Sequence, residues 1–173
     1  MGYVDLHVHT THSDGALSPA QMVEKAKAAG VTTLAIADHD KISGSQEAAP
    51  LCARAGIRLI PAAEVDTVLR GVPVHVLAYF PDFANAAFLA MLQDSRAKLE
   101  GMSDILIDRL AARGKNDSRE EYALFPEMRE KGGWKALYYL AHKGIVAMPK
   151  QALRLYGDYG VRYADQGFIA TEN

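Results

Sequence analysis

The stretch Asp5-Leu6-His7-Val8-His9-Thr10-Thr11-His12-Ser13-Asp14-Gly15 decides how this chain is read. As a strand running into a turn, it alternates strictly: Val4, Leu6 and Val8 on one face, Asp5, His7 and His9 on the other. A half-buried strand ordinarily carries Ser, Thr or Lys on its polar face. Two imidazoles at i and i+2 instead present neutral nitrogen donors side by side on one rigid element, which suits a borderline-soft divalent metal. Asp5 is expected to accept the second ring N–H of a ligating histidine. Asp14, just past the strand end, adds a hard oxygen donor. Taken alone, one His-x-His pair also fits a surface strand that happens to carry histidines, and the remainder of the chain decides against that.

The segments downstream repeat one pattern. Ser18-Pro19-Ala20-Gln21 opens a helix, with Ser18 as N-cap, Pro19 in the first helical position and Gln21 completing a capping box. Met22, Val23, Ala26 and Ala29 form its expected buried stripe, and Gly30 ends it. Val31 to Ala37 is apolar with little alternation, as in a strand buried on both faces of a parallel sheet, and runs into Asp38-His39-Asp40. Ser43 and Gln46 suggest a second capping box, Pro50 interrupts that helix and Gly56 closes it. Ile57 to Ala63 is a third strand with Glu64 at its end. Val72 to Phe80 is a fourth, with His75 inside it. In α/β barrels and open parallel sheets the carboxyl ends of the strands carry function. Of six histidines, His7, His9, His39 and His75 fall on or at the ends of strands and converge with Asp14 and Glu64, so a metal cluster is the expectation. His12, in the loop, is read as lying behind the site or in solvent. His142 is read as structural or surface.

Beyond Phe80 the pattern changes. Asp82 or Asn85 caps a long helix in which Ala86, Leu89, Leu92, Leu99, Met102, Leu106 and Leu110 recur at near-helical spacing, with Gly101 weakening its middle. Gly114 with Lys115-Asn116-Asp117 ends it. Glu120 to Lys131 reads as a helix broken near Pro126, and Trp134 to His142 as an amphipathic helix closed by Lys143-Gly144. Tyr156 to Asn173 reads as loop. The expected division is 1–82, an α/β unit carrying the ligands, and 83–173, an α-helical insertion or appendage.

Composition narrows the functional classes. The 173 residues are 49% apolar and 23% charged with net charge −2, ordinary for a globular domain and without the basic footprint of a nucleic-acid backbone binder. Cys52 is the single cysteine, which excludes an internal disulfide and a cysteine-rich zinc site and fits a reducing compartment. No apolar run approaches membrane-spanning length and no basic leader precedes one, so a cytoplasmic protein without membrane attachment is expected.

These motifs together resemble the polymerase and histidinol phosphatase (PHP) family of metal-dependent phosphoesterases: Asp5-Leu6-His7-Val8-His9-Thr10 with Ser13-Asp14-Gly15, then Ala37-Asp38-His39-Asp40, Pro61-Ala62-Ala63-Glu64 and His75-Val76-Leu77-Ala78-Tyr79. The resemblance is strongest to the bacterial branch acting on nucleoside phosphates and short RNA ends. It implies a distorted, TIM-like β/α barrel, here partial, with a helical insertion after the fourth strand. It implies His7, His9, Asp14, His39, Glu64 and His75 as metal ligands, with Glu64 bridging two ions, and His39 and Asp14 as the residues at the catalytic centre. Two or three Mn, Zn or Fe ions would serve a complete site, and the substrate would be nucleotide-like or a short RNA end. Later family segments, Ala-His-Pro and Ser-Asp-x-His, have no counterpart here. The family's insertion arginine is matched only by Gly133-Trp134-Lys135, leaving Lys135 as the substrate-binding candidate, and Ala62 replaces the usual glycine of the third motif. A chain carrying only the first part of the barrel is expected to dimerise, swap elements or require its missing half. The rival readings are a PHP-derived module without catalysis, serving metal binding or protein interaction, and a metal-dependent hydrolase of carbon–nitrogen bonds.

Overall fold

The computed structural model describes residues 2–115 and 118–171; the Asn116-Asp117 part of the expected helix stop and the last two residues of the expected terminal loop fall outside them. Four strands, β1 (Tyr3–Val8), β2 (Val31–Ile36), β3 (Arg58–Leu69) and β4 (Val72–Tyr79), form one curled sheet in the order β1-β2-β3-β4. β1/β2 and β2/β3 are parallel, and β3/β4 is an antiparallel hairpin. The curl is tight enough for the Tyr79 hydroxyl, on the last strand, to donate to the Leu6 carbonyl on the first at 2.9 Å. The helices are α1 (Pro19–Ala28), α2 (Ser43–Ala55), α3 (Ala86–Ala112), α4 (Arg119–Leu124), α5 (Lys135–His142) and α6 (Ala152–Asp158). This is an α/β half-barrel followed by helices.

The second half of β2, from Leu34 on, is apolar because both its faces are covered, whereas Thr32 near its start is exposed. Leu34 and Ile36 pack with Val23 and Ala26 of α1 and Ala48 and Cys52 of α2, while Ala35 and Ala37 face the barrel interior beside Ile60 and Ala62. The α1 capping box forms as the sequence predicts, with Ser18 Oγ on the Gln21 N–H and Gln21 Oε1 on the Ser18 N–H. Ala29 is exposed at the C-cap rather than part of the buried stripe, and Gly30 follows with φ +75°. The second predicted capping box does not form: Ile42 is the N-cap of α2, and the Ser43 hydroxyl is taken by His12 Nδ1 at 2.8 Å. Pro50 is accommodated inside α2, and Gly56 caps it in the left-handed region, as expected.

The main departure is β3. The predicted strand stops at Ala63, yet β3 runs on to Leu69. Arg58–Pro61 pairs with β2, Glu64 continues that edge by bridging to His39, and Ala62–Leu69 pairs on the other edge with β4 across an Arg70-Gly71 turn in which both residues have positive φ. Glu64 therefore sits within a strand rather than at its carboxyl end, while His75 lies inside β4 as expected.

Asn85 caps α3, whose inner face (Leu92, Met102, Leu106, Leu110) is buried against β3 at one end and against α5 and α6 at the other. The segment read as terminal loop includes the end of α6, a turn at Tyr163–Asp165 and a bridge from Ala170 to Val68. Both outer strands keep apolar side chains in solvent: Tyr3 (71%), Val4 and Leu6 on β1, Val72 and Val76 on β4. Among the described residues no helix is long and apolar enough to cross a membrane.

Where α2 begins, a Cβ built on Gly44 would lie 2.0 Å from Asp38 Oδ2 and 2.8 Å from Thr10 Oγ1. Gly44→Ala is expected to destabilise by ~1–3 kcal/mol through this overlap, whereas Gly101→Ala, with open space around it, should stabilise α3 by ~0.5–1 kcal/mol. Urea unfolding of the two variants checks both signs.

Candidate metal centre

Each side chain of the centre is delivered by an element already described. β1 supplies His7, and His9 follows at its exit. The loop that follows supplies Asp14, and the end of β2 supplies His39. β3 and β4 supply Glu64 and His75. The loop is held by Asp38, a fully buried carboxylate that accepts from the Thr10 amide at 2.7 Å, the Thr10 hydroxyl at 2.8 Å and the Ser13 hydroxyl at 2.6 Å. The helical region also touches the loop, through the Gly133 N–H donated to the Asp14 carbonyl at 2.6 Å.

Glu64 lies at the middle, 4% exposed. Its Oε2 is 3.0 Å from His7 Nε2 and 2.8 Å from His9 Nε2, and those two nitrogens are 2.9 Å apart. Its Oε1 is 3.1 Å from His75 Nδ1, and His39 Nε2 stands 3.6 Å from Oε2. On the other side of His9, Nδ1 meets Asp14 Oδ1 at 2.6 Å. The structure thus brings together all six residues singled out from the sequence, in three overlapping groups able to hold an ion: His7, His9 and Glu64; His9, Asp14 and His39; His39, Glu64 and His75.

The donor set fits a metal. A triangle of two imidazole nitrogens and one carboxylate oxygen with edges of 2.8–3.0 Å cannot be satisfied by hydrogen bonds along every edge. It does match the spacing of neighbouring ligand atoms around one ion, about 3.0 Å in octahedral and about 3.4 Å in tetrahedral coordination for bonds of ~2.1 Å. Nitrogen with carboxylate oxygen suits Mn, Zn or Fe better than calcium or a thiophilic ion.

The electrostatics agree. Burial works against a charged His9, but hydrogen bonds to Asp14 and Glu64 outweigh it and raise its pKa to about 10. Burial likewise opposes the Glu64 charge, and the contacts with His75 and His9 and the charge of His39 reverse this, holding its carboxyl far below the usual range. Asp14 is also held low, by His9 and His39 against its burial.

One expectation changes, and two further residues find their places. Asp5 does not reach a ring nitrogen; it is exposed, and its carboxylate accepts the His7 backbone N–H at 3.3 Å. His12 is outside the centre, held between Ser43 Oγ and Glu47 Oε2 at 2.8 Å each. Lys135 lies on the wall of a neighbouring cavity, its ammonium bonded to the Ala123 carbonyl at 3.2 Å and 4.8 Å from the centroid of the Tyr122 ring. That cavity, about 720 Å3, is also lined by Ser13, Lys41, Arg96, Arg129 and Trp134. Trp134 joins it to the centre, with its ring 5.8 Å from that of His39 and the Arg96 guanidinium stacked 4.7 Å from the indole centroid. His142 is a surface residue against Phe125, as read.

Sequence reasoning missed two carboxyls behind the cluster. Asp66, 1% exposed, stands 3.0 Å from His75 Nε2 and 3.4 Å from His39 Nδ1. Asp40, at φ +50°, accepts the Asp66 backbone N–H at 3.2 Å, and burial together with the neighbouring Asp66 pushes its carboxyl up to about 8. The signal for Asp66 was present: it is two residues beyond Glu64, hence on the same face of any strand that continues past Ala63.

An α/β half-barrel with a histidine–carboxylate centre on its inner face defines a class of metal-binding hydrolase folds, and comparison with known proteins narrows it. The PHP domain matches residues 5–171, and the chain belongs to that family. It is 38% identical over 110 residues to a 5′-3′ exoribonuclease of Haemophilus influenzae, covering 64% of this chain and 40% of that protein. It is 32% identical over 144 residues to the 5′-3′ exoribonuclease Rnm of Salmonella typhimurium, covering 82% and 44%. With a 3′,5′-nucleoside bisphosphate phosphatase of Chromobacterium violaceum it shares 38% identity over 96 residues, 56% of this chain and 34% of that one. Among solved structures, an amidohydrolase from Chromobacterium violaceum with bound sulfate superposes with a TM-score of 0.71 at 28% identity, over 87% of this chain and 54% of that one. A Bifidobacterium adolescentis protein described as a metal-dependent phosphoesterase gives 0.70 at 26% identity, over 90% and 54%. The chain spans less than half the length of these curated relatives.

The paired charges set a pH dependence for the metal-free protein. The raised His9 pKa contributes stability fully present below pH 6.5 and lost as pH climbs toward about 10. The depressed Glu64 pKa contributes stability present above pH 4.5 and lost as pH falls. Chelator-treated protein should therefore resist urea best between about pH 4.5 and 6.5 and weaken on either side; His9→Ala should reduce the alkaline decline and leave the part set by His75 and Asp40.

Proposed function

We propose that this chain is the site-bearing part of a metal-dependent phosphoesterase that hydrolyses phosphate esters of nucleotides or short oligonucleotides. The observation that carries the reading is the six-residue cluster around buried Glu64. In it, His7, His9, Asp14, His39, Glu64 and His75 would hold two or three divalent ions of the Mn, Zn or Fe type. Bound there, such ions polarise a phosphoryl oxygen and lower the pKa of water, supplying nucleophile and charge neutralisation together.

The protein's own residues have distinct parts. Glu64, with one oxygen toward His7 and His9 and the other toward His75, is the group suited to join adjacent ions. Asp14 and His39 face each other across His9 and would flank the reacting phosphorus. His39 stands beside both Glu64 and Trp134, where the cluster meets the adjoining cavity that would receive the substrate. Lys41, Arg96, Arg129 and Lys135 on that cavity wall would neutralise a nucleotide's remaining phosphate. Burial, together with the charges of Arg96 and Arg129, holds the Lys41 pKa below its ordinary value, as expected where cations gather without their anion. Local cations of this kind let a chain of net charge −2 receive an anionic substrate. On this reading residues 1–82 provide the metal centre and residues 83–173 are the helical insertion that walls the substrate cavity.

The activities for which the relatives are named, 5′-3′ exoribonuclease and 3′,5′-nucleoside bisphosphate phosphatase, support the same substrate class. Nothing in the geometry favours a module without catalysis, since all six donors remain. The amidohydrolase description of one structural neighbour keeps an amide substrate as the second arm of the test.

The test is turnover by the full-length polypeptide that contains this chain, with p-nitrophenyl phosphate, AMP and an anilide, in Mn or Zn and in excess chelator. Metal-dependent release of phosphate is expected, falling at least ~100-fold in His9→Ala, beyond what loss of a group behind a ligand costs. Lys135→Ala should raise KM with little change in kcat. A metal-loaded protein that cleaves the anilide and no phosphoester would overturn the proposal.

A further inference from the structure

The buried carboxylate of Asp66 has no use in the six-residue cluster, and its surroundings are unusual. Glu64 and Asp66 lie on the same face of β3, and Asp66 is directly opposite His75 in the β3/β4 register. His39 and His75 stand between the two carboxylates, their rings 4.8 Å apart and nearly perpendicular. Each imidazole turns one nitrogen to Glu64 and the other to Asp66. His75 has Nδ1 3.1 Å from Glu64 and Nε2 3.0 Å from Asp66, and His39 has Nε2 3.6 Å from Glu64 and Nδ1 3.4 Å from Asp66.

Both oxygens of Asp66 and the Nδ1 of His39 are buried without a partner in hydrogen-bond geometry. Buried groups of this kind are rarely left unpaired. Here the orphans face one another: His39 Nδ1 is 3.4 Å from Asp66 Oδ2 and His75 Nε2 is 3.0 Å from Oδ1, so small reorientations of the rings would complete both bonds. Asp66 is itself held firmly, its amide on Asp40 Oδ1 at 3.2 Å and its carbonyl receiving the Ser95 hydroxyl at 3.1 Å. A fixed carboxylate behind two candidate ligands is the arrangement that sets the tautomer and the basicity of metal-binding histidines.

We infer that Asp66 is a positioning residue which accepts the outward N–H of both His39 and His75, so that His39 presents Nε2 and His75 presents Nδ1 to the metal. The inference rests on the metal-centre reading above and adds to it a shared orienting carboxylate and a specific ligating nitrogen for each ring. A single carboxylate serving two ligands makes their orientations interdependent: loss of Asp66 frees both rings at once. Asp40 supports the arrangement from behind, its carboxylate accepting the Asp66 backbone N–H at 3.2 Å.

The test uses the purified chain with Zn alone, titrated by calorimetry, together with 15N spectra of the histidine side chains. In Zn-loaded wild type, His39 should carry its proton on Nδ1 and His75 on Nε2. Asp66→Asn should weaken Zn binding ~10–100-fold and change the ring-nitrogen signals of both histidines, while the urea midpoint of the metal-free protein stays close to wild type. Asp66→Glu should recover part of the affinity. Unchanged Zn affinity in Asp66→Asn would overturn the inference, as would His75 bound through Nε2. If Asp66→Asn fails to fold, the wild-type tautomers alone decide it. If wild type itself takes up no Zn at the cluster, the metal-centre reading fails instead, a result distinct from either.

Discussion

Glu64 carries its charge inside a strand where almost no solvent reaches it, and a carboxylate so placed persists only among partners that offset its lost hydration. Four imidazoles supply them, from β1, the end of β2 and β4. The rest of the architecture follows from bringing those elements to one point. Parallel pairing of β1, β2 and β3 sets His7, His9, His39 and Glu64 side by side, and curling the sheet through the β3/β4 hairpin swings His75 in from the far side. A flat sheet in the strand order β1-β2-β3-β4 would hold β1 and β4 three strand spacings, about 14 Å, apart. The Tyr79–Leu6 hydrogen bond is direct evidence of how far the curl has gone.

In the metal-free protein the same side chains hold one another by charge, with His9 and His75 favoured in the protonated form by the carboxylates beside them. Binding an ion exchanges those protons for the metal, because only neutral imidazole coordinates. The site is therefore suited to either of two occupants, protons or divalent cations, and the surrounding scaffold would serve both. Asp38 fixes the Asp14 loop through three hydrogen bonds, and Gly133 ties that loop to the helical region. The exposed apolar residues of β1 and β4 lie on the sheet's outer strands, in a chain that spans less than half of its curated relatives.

Much of this was legible in the residues, for identifiable reasons. The period-2 alternation of His7 and His9, the Ser18-Pro19-Gln21 cap and the apolar run of β2 are local signals, and the structure repeats them. The six donors were legible because histidines and carboxylates gathered at the ends of apolar strands suit a metal and little else. What escaped was non-local. Nothing in Ala62 to Leu69 announces that the strand runs on along β4 beyond the end of β2, so β3 was cut short at Ala63 and Asp66 was lost with it. Ser43 resembles a cap until His12, distant in sequence, claims its hydroxyl. The Trp134–Arg96 wall depends on how α3 and α5 pack, which helical periodicity does not specify.

The most direct measurement of the central claim is anomalous diffraction from crystals of this protein grown with Zn or Mn. The account predicts anomalous peaks within ~2.0–2.3 Å of Glu64 and of the ring nitrogens of His7, His9 and His75. Ions bound only at surface sites, with the six side chains left holding one another, would contradict it.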